Sequence, residues 1–172
     1  EQVHNGVFPL DFDNLLALPG IGRSTAGAIL ALSDSQRFAI LDGNVKRVLA
    51  RFHAVEGWPG KKKIENLLWV LAEEHLPREN IASYTQAMMD LGATVCTRTK
   101  PKCSVCPIQQ SCIAHDRSSE EIYPTRKQSK AKPHRILPVI MLICKGKIVM
   151  EERPQRGIWG GLFSLPELED ES

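Results

Sequence analysis

Apolar residues recur at helical spacing through the first half of the chain. Val45, Val48, Leu49 and Phe52 fall at i, i+3, i+4 and i+7, the stripe of an amphipathic helix with one face on a core, and predict a helix from Asp42 to Ala54. Ile64, Leu67, Leu68 and Leu71 repeat the stripe, as do Ile81, Tyr84, Thr85 and Met88, so two further helices are expected. Upstream, Phe12 to Leu18 reads as the end of a short helix stopped by Pro19-Gly20, and the Ala-rich run from Arg23 to Leu32 as a closely packed second one. The pattern changes at Ile136. ILPVIMLIC is a continuous apolar run, KGK reads as a turn and IVMEER follows, a hairpin that opens a β-containing domain with Cys144 expected in its core. The organisation expected is an all-α region over 1–95, a cysteine loop over 96–112, a basic, proline-punctuated linker over 113–135 and the beginning of a second domain over 136–172.

Composition adds little until it is divided along the chain. The 172 residues are 42% apolar, enough for a real core, and no run approaches the roughly 18 apolar residues of a membrane span. The net charge of +2 is unevenly placed: eight Lys/Arg stand against three Asp/Glu between Gly20 and Lys63, and nine against three between Cys96 and Arg135. Two basic blocks against an acidic remainder suit either a surface that meets a polyanionic backbone or a solvated charged face. The chain begins without Met or a secretory pattern and ends in ELEDES after a Gly-rich stretch, so it is expected to be a piece of a longer protein, truncated at both ends.

Cys96, Cys103, Cys106 and Cys112 give C-x6-C-x2-C-x5-C, four thiols in one compact loop. With nothing marking the chain as secreted, an intracellular location with reduced thiols is expected, and a metal centre explains the spacing better than disulfides do. A tetrahedral zinc and an iron-sulfur cluster both remain open, and the long, unequal spacings favour the cluster. LPGIG, Leu18 to Gly22, precedes a helix. Gly20 and Gly22 permit a sharp turn whose backbone N–H groups either cradle a phosphate or simply join two helices. Asp42 opens its helix, as a capping residue or as a carboxylate aimed at a substrate. Lys46, four residues on, is placed for an i,i+4 ion pair with Asp42 or for a phosphate contact. Lys61, Lys62 and Lys63 are phosphate contacts or solvated charge.

LPGIGRSTAGAIL, LDGNVKRVLAR, GWPGKK and QAMMDLGATVCTRTKPKCSVCP, in this order and with the fourth cysteine following, resemble the helix-hairpin-helix DNA glycosylases that carry a 4Fe-4S cluster, most closely the adenine DNA glycosylases of the MutY type. The resemblance implies a mainly α glycosylase domain with an iron-sulfur loop, followed by the start of a Nudix-like α+β domain that recognises 8-oxoguanine, which WGGLFSLPE, Trp159 to Glu167, matches. It implies excision of adenine mispaired with 8-oxoguanine or guanine from double-stranded DNA by a monomeric enzyme. Asp42 is then the catalytic carboxylate, Ser24 and Asn44 belong to the substrate pocket, Gly20, Gly22, Arg23 and Lys46 meet DNA phosphates, and Cys96, Cys103, Cys106 and Cys112 ligate the cluster. The chemistry accounts for a carboxylate: N-glycosidic cleavage leaves positive charge on the deoxyribose, which an anion stabilises or captures.

Three departures refine the expectation. Relatives such as endonuclease III that cleave the strand carry a nucleophilic lysine where this chain has Ser24, so no Schiff-base step is expected. The acidic hydrolase signature of Nudix enzymes is also absent from the sequence. In the family a glutamate from an early helix protonates the adenine, and that helix would precede Glu1. The chain alone is therefore expected to bind DNA weakly and to excise little or nothing. An endonuclease III-like glycosylase for oxidised pyrimidines and a non-catalytic zinc DNA-binding module are the competing readings.

Overall fold

The predicted helices form in the computed structural model, which describes residues 6–127 and 136–168, and their stripes pack inward except at Leu67, which is exposed. The chain forms two compact units that divide after Gln128. The first is helical: α1 (Phe12–Leu16), α2 (Arg23–Asp34), α3 (Gly43–Phe52), α4 (Lys62–Glu74) and α5 (Ile81–Asp90), the last running into a single π turn, Leu91–Val95. Short 3-10 turns at Cys103–Val105 and Gln109–Ser111 lead to α6 (Ile113–Asp116). Among the described residues no helix is long and apolar enough to cross a membrane.

α3 lies at the centre because its stripe is the most deeply buried. Val45, Leu49 and Ala50 form one cluster with Ile40, Leu41, Val55 and, from α4, Leu68 and Ala72. A second cluster joins α1 to α2 through Leu15, Ala26 and Leu30, with the Phe12 and Phe38 rings stacked 4.7 Å apart against it. Gly27 lets α2 approach the segment before α3, since a Cβ there would lie 2.6 Å from the Ala39 carbonyl oxygen. Asp42 is therefore delivered to the head of α3 by a segment, Phe38 to Leu41, pinned on both sides.

Part of the stretch expected to be a linker from 113 onward is packed, at Ala114 and Tyr123. α6 contributes buried Ala114, and Tyr123 is also buried. The reason is Arg51 of α3, whose guanidinium Nε donates to the carbonyl oxygens of Glu120 (2.8 Å) and Tyr123 (2.9 Å). The remainder of the expected linker, 128–135, lies outside the described residues.

In the second unit the expected hairpin is present but short. β1 (Ile143–Cys144) pairs antiparallel with β2 (Lys147–Ile148) across Lys145-Gly146, both at positive φ (49° and 74°), the backbone that suits a two-residue hairpin turn. β3 (Glu151–Glu152) pairs antiparallel with β4 (Phe163–Ser164), and Val139 bridges to Glu167. Cys144, expected in a core, is exposed. An apolar run identifies a strand but not the layer that covers it, and Ile143, Ile148 and Phe163 are exposed as well.

Candidate active site and cysteine centre

Asp42 caps α3. Its Oδ1 accepts the Val45 backbone N–H at 2.8 Å, which uses one of the free amides of the first turn and fixes the carboxylate at the positive end of the helix. Its second oxygen has no hydrogen-bond partner among the described residues, and the residue is half-buried. Ser24, in the first turn of α2, accepts the Leu41 backbone N–H at 2.9 Å. The hydroxyl thus ties the helix after the hairpin to the residue preceding Asp42. A lysine at this position could not do so, because an ammonium has no acceptor.

The expected phosphate contacts divide. Gly20 sits in the turn with φ of +83°, while Gly22 is the N-cap of α2 in extended backbone, so only the first of the two glycines is there for left-handed geometry. Beside both, a Cβ would meet open space. Arg23 is engaged within the protein, paired with Glu73 of α4 and stacked 3.8 Å over the Trp69 ring. Lys46 pairs with Glu65 of α4 at 2.7 Å rather than with Asp42, and its hydrogen bond holds the Glu65 carboxyl below the usual range. The i,i+4 geometry is outcompeted because the Asp42 side chain turns back to cap its own helix.

Asn44 faces away from solvent toward the π turn. Its Oδ1 accepts from Arg47 Nη2 at 2.8 Å, and Arg47 also donates to the carbonyl oxygens of Gly92 (2.6 Å) and Cys96 (2.7 Å). Gly92 is required by this approach: a Cβ there would lie 2.6 Å from Asn44 Cβ. One helix turn later Arg51, only 2% exposed, donates to Thr97 O at 2.7 Å, Arg98 O at 3.2 Å and Cys96 Sγ at 3.3 Å. Sequence reasoning did not single out Arg47, Arg51 or Gly92. A signal for Arg51 existed, since it stands at i+3 from Val48 on the inward stripe, where a charge must be fully bonded or absent.

All four cysteines of the loop line one pocket together with Val48, Phe52 and Leu91. Tight turns bring them there. Cys96 ends the π turn with its N–H on Leu91 O, Cys103 starts a 3-10 turn that Cys106 closes, and Cys112 closes the next while opening α6. Four cysteines lining one pocket fit a group that takes four thiolates. A mixed set, Cys103, His115 and Glu120, also converges within 4.8 Å, but His115 Nδ1 and Glu120 Oε1 already satisfy each other at 2.7 Å. Burial, with the hydrogen bond to Glu120 second, pushes the Cys103 thiol up to about 11, and burial raises Cys112 as well. A metal centre held by these cysteines would supply the positive charge that favours their thiolates.

Residues 4–32 match the helix-hairpin-helix motif, and residues 96–112 match the iron-sulfur binding domain of endonuclease III. Over 170 residues the chain is 40% identical to the adenine DNA glycosylase of Buchnera aphidicola subsp. Acyrthosiphon pisum, covering 99% of this chain and 49% of that protein. Over nearly its whole length the chain is homologous to adenine DNA glycosylases. It spans about half the length of the bacterial relatives it matches. Among solved structures, a thermostable thymine-DNA glycosylase aligns with a TM-score of 0.58 at 28% identity, covering 67% of this chain and 53% of that one. A non-covalent endonuclease III-DNA complex aligns at 0.55 and 25%, covering 68% and 53%. The four-cysteine loop of this adenine DNA glycosylase homologue thus coincides with a match to an iron-sulfur binding domain, in agreement with the pocket its cysteines line.

Proposed function

We propose that the protein carrying this chain is a base-excision repair glycosylase that hydrolyses the N-glycosidic bond of adenine mispaired with 8-oxoguanine or guanine in double-stranded DNA. The observation that carries the reading is the state of Asp42. One oxygen is anchored by Val45 N–H and the other has no partner among the described residues, at the head of a helix that reaches the cysteine centre. As adenine departs, the unpartnered oxygen stabilises or captures the cationic sugar, and the capped oxygen keeps the carboxylate from swinging away. The target nucleotide leaves the duplex first, at a few kcal/mol of lost stacking.

Cys96, Cys103, Cys106 and Cys112 would hold a 4Fe-4S cluster. When bound, it supplies the charge that keeps the thiolates and orders the basic loop between Cys96 and Cys103. Ser24 holds the Asp42 segment from the hairpin side and Asn44 holds Arg47. Gly20 and Gly22 present backbone N–H groups toward a phosphate, and Arg23 and Lys46 would reach one by exchanging their carboxylate partners. Residues 136–172 are read as the beginning of a Nudix-like domain that recognises the 8-oxoguanine.

The test is adenine release by the full-length protein from a duplex with adenine opposite 8-oxoguanine, beside an Asp42→Asn variant and a duplex with an oxidised thymine opposite adenine. Adenine release lost in the variant is expected. Release of the oxidised thymine, or a borohydride-trappable lysine adduct as the normal intermediate, would assign the protein to the endonuclease III-like activity instead.

A further inference from the structure

Beside the head of α3, in the first unit, an open groove of about 1120 Å³ runs between Gly43 and Lys46 on one wall and residues 123–127 on the other, with Trp58 at its side. Its cations are Lys46, Arg47, Arg98, Arg126 and Lys127, against Glu121 as the acidic lining residue. Lys46 and Arg47 are engaged by Glu65 and by carbonyls, but Arg98, Arg126 and Lys127 carry no ion-pair partner among the described residues. The wall is held in place. The Gly57 N–H donates to Thr125 Oγ1 at 3.1 Å, Tyr123 is buried with its carbonyl on Arg51, and the Lys127 ammonium sits 5.0 Å over the Trp58 ring. Gly60 lies against the same ring, where a Cβ would come within 2.2 Å of the indole. Trp58 thus serves as a seat for the Lys127 cation.

We propose that this groove takes the sugar-phosphate backbone of the DNA strand next to the flipped nucleotide, with Arg98, Arg126 and Lys127 as phosphate contacts. The inference rests on the glycosylase reading above. An open groove lined by five cations against one carboxylate, with an entrance one residue from Asp42, suits continuous backbone phosphate better than a base or a compact anion. It also gives the packed residues 120–127 a role: Arg51 holds the same segment by its carbonyls that the groove uses by its side chains.

The test is duplex affinity of the full-length, cluster-loaded protein as a function of salt. Each lost phosphate contact lowers the slope of log K against log salt by about 0.9. The doubly substituted Arg126→Gln, Lys127→Gln protein is expected to lose between about 1 and 2 from the slope, equally for different flanking sequences, while the charge-keeping Arg126→Lys, Lys127→Arg protein retains it. Both positions are exposed, so folding is not at issue. A steep parent slope left unchanged by the Gln pair would overturn the groove and spare the glycosylase reading. A parent protein with no salt-dependent duplex binding would overturn both.

Discussion

Ser24 Oγ accepts the backbone N–H of Leu41 at 2.9 Å, so the helix that follows the hairpin is hydrogen-bonded to the residue directly before Asp42. Removing the hydroxyl leaves a half-buried amide without its acceptor. Ser24→Ala is expected to lower stability by about 1 kcal/mol and to slow adenine release by more than that loss of folded protein accounts for, because the Asp42 segment is released on one side. Thermal midpoint and single-turnover excision measured on the same preparations check this. An unchanged midpoint would show that the hydroxyl is dispensable.

Capping and the proposed chemistry can be separated at Asp42. Asparagine retains an oxygen acceptor for Val45 N–H and removes the charge, whereas alanine removes both. Asp42→Asn is expected to unfold near the parent temperature with excision abolished, while Asp42→Ala loses about 1 kcal/mol of stability in addition. Equal stability of the two variants would mean that the cap contributes nothing.

Arg51 joins α3 to the cysteine loop and to residues 120–123 at once. Its guanidinium serves the carbonyls of Thr97, Arg98, Glu120 and Tyr123 and the sulfur of Cys96. Arg51→Met leaves these acceptors unmet and is expected to cost about 3 kcal/mol or more, with iron content per chain reduced. Arg51→Lys should rescue little, since three donors on one nitrogen cannot span a planar fork. Iron and acid-labile sulfide analysis, with the thermal midpoint, decides it; full iron occupancy in Arg51→Met would sever the link.

The parts of this arrangement that the sequence disclosed are those written in local spacing. The stripe of Val45, Val48, Leu49 and Phe52 marks α3, the acid before Gly43 marks its cap, and four cysteines within one loop mark a shared centre. Relationships between distant segments were not legible. Lys46 finds Glu65 on α4 rather than its own helix neighbour, and Arg23 finds Glu73 and Trp69. Residues 113–127 look like a linker because they are mostly polar and hold a proline, yet the carbonyls of Glu120 and Tyr123 are what a buried arginine needs. Polarity reports side chains, and here the packing is done by the backbone.

Gly92 is where α5, through its π turn, comes closest to α3. A methyl group there would lie 2.6 Å from Asn44 Cβ and 3.1 Å from its Cα. Gly92→Ala is expected to push the π turn off α3, weaken the Arg47 bonds to Asn44, Gly92 and Cys96, and destabilise the protein by about 1–3 kcal/mol. Hydrogen exchange of residues 91–96 would report the change locally. Parent-like protection would mean that the helices part without strain.

His53 and His75, which follow α3 and α4, bring their Nε2 atoms within 2.7 Å, and the Phe52 ring meets both imidazoles edge-on. Burial, with repulsion from His75 second and only partly offset by Glu74, holds the His53 imidazole below its ordinary value of 6.5. The unfolded chain then takes up the proton first on acidification. Stability is therefore lost as pH falls through about 6.5, and the loss levels off once the pH is below the folded value. Replacing the ring by a non-titrating side chain removes the difference between the two states. The thermal midpoint of the parent is expected to drop between about pH 8 and pH 5.5 by more than that of His53→Gln. Parallel midpoints for the two proteins across that range would show that the pair shares its proton without cost, as a hydrogen bond between one neutral and one charged ring.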